Sequence, residues 1–196
     1  MGEIKSAREI ADEKLGQIEA PTEEERLHWK YVPEGEKLAA EYIKEGIDLS
    51  SAIEKFGDKA RKHVTSGALS VLVHNISLPT TEIIAKNNEK AISGIRLLKP
   101  GGANLETILG QLKNIFDHYS GPGQQQRQQA YESLKAELEM QVRQALQKQM
   151  GTANGIPIDV EKQPQFQSEW RRRQTQLDAQ YLNLLSELKQ KLLDLA

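Results

Sequence analysis

The stretch Gln176-Leu177-Asp178-Ala179-Gln180-Tyr181-Leu182-Asn183-Leu184-Leu185-Ser186-Glu187-Leu188 decides the fold class of this chain. Leu177, Tyr181, Leu184 and Leu188 recur at alternating spacings of four and three, and Leu195 prolongs the line. Only a helical backbone, turning once every ~3.6 residues, brings such positions onto one seam. The seam reaches back to Trp170. A companion seam of Tyr131, Leu134, Leu138, Val142, Ala145 and Met150 runs through residues 124–150. Between them, Gly151 to Asp159 carries the Gly, Asn and Pro of a loop. Two helices joined in this way fold back on each other. Residues 121–196 are therefore expected to form a long antiparallel helical hairpin of coiled-coil character, each arm about 40–45 Å long at ~1.5 Å per residue.

Working outward, Ser120-Gly121-Pro122-Gly123 separates this glutamine-rich arm from residues 1–120, which read as a multi-helix bundle. Ile4, Ala7, Ala11, Leu15 and Ile18 draw one helical stripe over residues 3–20. Thr22-Glu23-Glu24-Glu25 is a capping box opening a short helix, which Pro33 is expected to end near Tyr31. A new helix then runs from Glu34 to Glu45, with Gly46 as its stop. Residues 49–76 read as one central helix, capped by Asp48 or Ser50, in which Gly67 and Ala68 permit close approach of a neighbour. Residues 81–98 form the next helix, and Asn104 is expected to cap a last one over residues 105–119. The fold class predicted is all-α, with no β-strand.

Composition removes several kinds of chemistry. The 196 residues include no cysteine, which excludes a disulfide scaffold, a thiolate metal site and a cysteine nucleophile. Residues 1–120 carry 16 basic and 19 acidic side chains and residues 121–196 carry 10 and 9. Neither part is a polybasic arm drawn to nucleic acid or to an anionic membrane. The charged N-terminal stretch lacks the apolar core of a signal peptide, and no apolar run approaches the ~18 residues of a membrane span. A cytoplasmic protein is expected.

The reactive groups have few companions. Glu25-Arg26-Leu27-His28 has the Glu-x-x-His spacing of a di-iron ligand pair, but it occurs once where such a centre needs it twice. A capping glutamate and a surface histidine account for it. His74 falls on the apolar stripe and reads as a satisfied core histidine, while His118 ends a helix and can interact with its last carbonyls. Pro100-Gly101-Gly102 lacks a preceding strand and the Gly-Lys-Ser/Thr of a phosphate loop. His28, Trp29 and Tyr31 read as an aromatic corner stapling two helices near Pro33. Arg171-Arg172-Arg173 is the one tight basic cluster, and at ~100° per residue its side chains fan around the helix.

At Thr22-Glu23-Glu24-Glu25-Arg26-Leu27, at Tyr31-Val32-Pro33-Glu34-Gly35-Glu36-Lys37-Leu38-Ala39, and from Phe116 to Tyr119 with Gln125-Gln126-Arg127, the chain resembles a family of uncharacterised bacterial proteins, a domain of unknown function. The resemblance implies a bacterial source and supplies no activity, cofactor or catalytic residue.

The function expected is non-catalytic: interaction with a protein partner or a second copy of the chain through the hairpin. The candidate surface is Trp170, Leu177, Tyr181, Leu184 and Leu188 with Arg171, Arg172 and Arg173. No catalytic, cofactor or metal residue is assigned. The alternative is nucleic-acid binding through Arg127, Arg143 and Arg171 to Arg173. A metal enzyme built on Glu25 and His28 is the remote one.

Overall fold

The computed structural model describes residues 21–99, 102–150 and 159–195. The stripe over residues 3–20, Pro100-Gly101 and most of the loop from Gly151 lie outside them. Every regular element among the described residues is helical: α1 (Glu23–Glu45), α2 (Leu49–Glu54), α3 (Asp58–Asn75), α4 (Glu82–Leu98), α5 (Ala103–Ser120), α6 (Pro122–Met150) and α7 (Pro164–Asp194). The all-α bundle is the fold.

Thr22 opens α1 with the expected capping box. Its hydroxyl accepts from the Glu25 amide at 3.2 Å, and Glu25 Oε2 accepts from the Thr22 amide at 2.8 Å. Pro33, however, does not end the helix, and α1 continues through it to Glu45. Packing overrides the local preference here. α1 crosses α3 so closely that a Cβ on Gly35 would lie 1.9 Å from the Val64 carbonyl oxygen, and one on Gly67 would lie 2.1 Å from that of Val32. Two reciprocal glycines bring backbone onto backbone on either side of Pro33. The burial gained along this contact outweighs the roughly 3 kcal/mol that an internal proline costs a helix. Gly46, at φ 74°, then closes the helix as expected.

The predicted single helix over residues 49–76 is two. Asp48 caps α2 through the Ser51 amide at 3.1 Å, but the chain breaks at Lys55–Gly57 and Gly57 becomes the N-cap of α3. Extended backbone at Gly57 (φ −65°, ψ 158°) fixes the break. α3 is the central element, burying Ala60, His63, Val64, Gly67, Ala68, Leu69, Leu72 and Val73. His74 is exposed, contrary to expectation, and its Nδ1–H donates to the Ser70 carbonyl at 2.7 Å. The buried histidine is His63. The aromatic corner also dissolves: Trp29 is 64% exposed, Tyr31 packs edge-on against Phe56, and His28 faces His63.

Thr81 caps α4, and Gly102, not Asn104, stands at the start of α5. Asn88 of α4 is buried at 2% exposure. Its Oδ1 accepts from the Ser77 amide at 2.9 Å and its Nδ2 donates to the Ser77 carbonyl at 2.7 Å. One side-chain amide thus satisfies both backbone groups of a residue in the turn after α3, as a neighbouring strand would.

α6 and α7 pack side by side in opposite directions. Arg127 faces Asp178 near the start of α6, and Arg173 pairs with Glu137 further along it. α7 serves two cores. Phe166 joins Leu134, Leu138 and Val160, with Trp170 against them. Leu185, Leu188 and Leu192 join the main core with Ala39, Leu72, Leu112 and Tyr119. The far end of the arm is therefore embedded in the bundle. Lys189 anchors it, donating to the Ile76 carbonyl at 2.9 Å and that of His74 at 3.2 Å, and burial pushes its ammonium below the usual lysine range.

Candidate interaction face

The helices α5, α6 and α7 meet around Tyr119. Arg127 lies over its ring, 3.8 Å from the centroid, and donates from Nη2 to the Tyr119 carbonyl at 2.8 Å. This contact combines cation–π attraction with satisfaction of a carbonyl that the helix end leaves unpaired. Arg127 Nη1 stands 3.5 Å from Asp178 Oδ1, and both side chains are largely buried. Neither atom forms a hydrogen bond, so the pair attracts across a gap. Burial, and then the Asp178 carboxylate, push the Tyr119 phenol above its ordinary value.

Tyr181 completes the joint. Its ring stands edge-on to Tyr119 with centroids 5.2 Å apart, and its hydroxyl is 2.7 Å from His118 Nδ1. Gly123 makes room for it, since a Cβ there would come within 2.6 Å of the Tyr181 hydroxyl. The short Gly121-Pro122-Gly123 turn is thus fitted to a tyrosine 58 positions later.

Beside this joint lies a groove of about 460 Å³. Ile115 of α5 and Leu177, Tyr181 and Leu184 of α7 give it an apolar floor. Its remaining lining is His118 and four amides: Asn114, Gln126, Gln176 and Gln180. No carboxylate, ammonium or guanidinium lines it. Leu184 is 49% exposed at its edge.

The structure divides the residues that the sequence singles out. Leu177, Tyr181 and Leu184 share the groove. Leu188 does not: it is 6% exposed and belongs to the main core, because the seam turns inward where α7 meets α3 and α5. Trp170 packs edge-on against Tyr131, 5.1 Å between centroids, in the smaller core. Arg171, Arg172 and Arg143 are exposed, whereas Arg173 is bound to Glu137 at 2.7 Å and Arg127 is held under Tyr119. Arg143 lies about 24 Å along α6 from Arg127 at ~1.5 Å per residue. The arginines do not share one patch. Asn114, Ile115, His118, Gln126, Gln176 and Gln180 are the groove residues that sequence reading missed. The glutamine run Gln124 to Gln126 was the available signal, but only the fold brings Gln126 into one groove with Gln176 and Gln180.

Among the described residues, geometry thus defines an all-helical bundle with an apolar groove, edged by amides and one histidine, at a three-helix joint. The chain belongs to the family of unknown function DUF6657, which it matches over residues 50–194. Neither the curated proteins nor the solved structures contain a match to it.

Proposed function

We propose that the protein is a non-catalytic interaction module that self-associates through the groove between α5 and α7. The observation that carries this reading is the chemistry of the groove: an apolar floor edged by four amides and His118, with no carboxylate, ammonium or guanidinium. Docking there desolvates no carboxylate, ammonium or guanidinium, which is the usual penalty at a polar rim. Each Gln or Asn both donates and accepts, so the rim is complementary to its own copy under a two-fold rotation. A rim of one charge would repel its copy. The exposed Leu184 supplies the apolar contact each protomer inserts.

The same proposal places the protein in the cytoplasm of a bacterium, in keeping with the family resemblance in its sequence; fractionation of the native cell tests that. No helix among the described residues is long and apolar enough to cross a membrane. Light scattering at micromolar concentration tests the module itself. A dimer that Leu184→Glu converts to monomer, with unchanged helical content, is the expected result. A wild-type monomer, or a dimer indifferent to that change, overturns it.

A further inference from the structure

A second cleft, of about 510 Å³, opens at the end of the bundle where α1 and α3 begin. Leu69 of α3 and Leu98 of α4 give it apolar surface, and the rings of His28 and His63 stand beside them. Its edges carry Arg61, Lys62 and Lys99 against Glu24 and Asp58, an excess of one positive charge. From Asp58 to Leu69 the cleft follows α3 for about 16 Å at ~1.5 Å per residue.

The chain enters the bundle at the mouth of this cleft. Lys59 Nζ of α3 is 2.8 Å from Glu23 Oε1, the first residue of α1, so the two helices start side by side. Everything before Pro21 therefore leaves from the cleft's open end. In that preceding stretch Ile4, Ala7, Ala11, Leu15 and Ile18 make one apolar stripe at helical spacing. From Ile18 back to Ala7 the stripe covers about 16 Å as a helix, the length of the cleft. Residues 1–20 carry five acidic and three basic side chains, so their charge is opposite to that of the cleft edge.

We propose that the cleft is the docking site of this chain's own residues 3–18, which fold back into it as a helix. Only Glu19 to Thr22 separate Ile18 from α1, and a connection that short makes neighbouring helices antiparallel. The register follows: Ile18 lies level with Lys62, Leu15 with Ser66, and Ala11 with Leu69. Ala7 and Ala11 let the helix sink between α3 and α4, and Leu15 and Ile18 cover the apolar surface near the mouth. Asp12 and Glu19, two turns apart on one flank of the stripe, face the basic edge.

Cysteine pairs in the full chain test this, since the sequence has no cysteine of its own. Ser66 is exposed, so its replacement leaves the bundle intact. Leu15→Cys with Ser66→Cys is expected to close a disulfide within one chain under mild oxidation. Glu13→Cys with Ser66→Cys, on the opposite side of the proposed helix, is expected to close at least about tenfold more slowly. Adding Ala11→Asp to the first pair is expected to slow it to the rate of the second. Equal rates in the two pairs would mean a free tether and overturn the assignment. A bond between two chains, seen by mass spectrometry in a mixture of labelled and unlabelled protein, would give the cleft to a second copy and overturn it as well.

Discussion

Gly35 of α1 presents its Cα to the carbonyl oxygen of Val64 in α3, at a separation that leaves no room for a methyl group. Helices usually meet through side chains at axis distances of about 8–10 Å. Here bare backbone replaces side chains on both partners, because Gly67 of α3 meets Val32 of α1 in the same way. The pairing explains why α1 passes through Pro33 without stopping.

Gly35→Ala is therefore expected to destabilise the fold by about 3 kcal/mol or more, since the atom it strikes is backbone and cannot rotate away. Gly110 provides the contrast. It is exposed within α5, and a Cβ there meets nothing within 4 Å. Gly110→Ala is expected to stabilise by about 0.5–1 kcal/mol through reduced freedom of the unfolded chain. Urea denaturation of both variants checks the pair. Equal effects would sink the backbone-contact account.

Asn88 and Ser77 make a second prediction. Replacing Asn88 by Ala leaves the amide and carbonyl of Ser77 without partners beside a buried position. A loss of about 2–3 kcal/mol is expected. Asn88→Asp is expected to do no better, because a carboxylate cannot donate to the Ser77 carbonyl and is itself buried. Ser77→Ala is the control, since the two bonds use its backbone only. If Ser77→Ala costs as much as Asn88→Ala, the amide bridge is not what holds the turn.

The helical class was legible because Leu177, Tyr181, Leu184 and Leu188 repeat too regularly for any other backbone. The cap at Thr22, the choice of Asp48 or Ser50 for the next helix, and the stop at Gly46 were legible because they depend on neighbours within one turn. The break at Gly57 and the cap at Gly102 were local features misread, and the other failures depended on distant packing. Pro33 reads as a stop until Gly35 is seen against Val64. His74 and His63 both sit on the α3 pattern, and only the placement of α1 decides which is covered. The groove was half visible: one wall is the leucine seam of α7, while Ile115 and Asn114 join it only through the joint at Tyr119. Where Leu188 leaves the surface was not legible, since the seam carries no mark of what covers each part.

That division of the seam gives a third prediction. Leu188→Ala is expected to destabilise by about 2–5 kcal/mol, the cost of a core cavity. Leu184→Ala, measured below the concentration at which the chain would self-associate, is expected to stay within about 0.5 kcal/mol, as at a surface position. Thermal unfolding of the two variants distinguishes them, and similar losses would mean that α7 is not seated in the bundle as described.

Glu161 makes the last prediction, through pH. It receives hydrogen bonds from Lys135 Nζ at 3.0 Å and the Tyr131 hydroxyl at 2.8 Å. The Lys135 bond first, then that of Tyr131, hold its carboxyl below the usual range. A carboxylate whose folded value is depressed adds stability that is complete above its unfolded value and is lost as pH falls through the folded one. Glu161 ties the segment before α7 to α6, next to the fully buried Val160. Glu161→Gln is therefore expected to melt below wild type at about pH 7, and the gap is expected to close as pH falls below the usual carboxylate range and through the lowered value of Glu161. Midpoints followed by circular dichroism across that range decide it. A gap that stays constant with pH would show that the substitution acts through shape or polarity, and that the charge on Glu161 contributes nothing to holding α6 and α7 together.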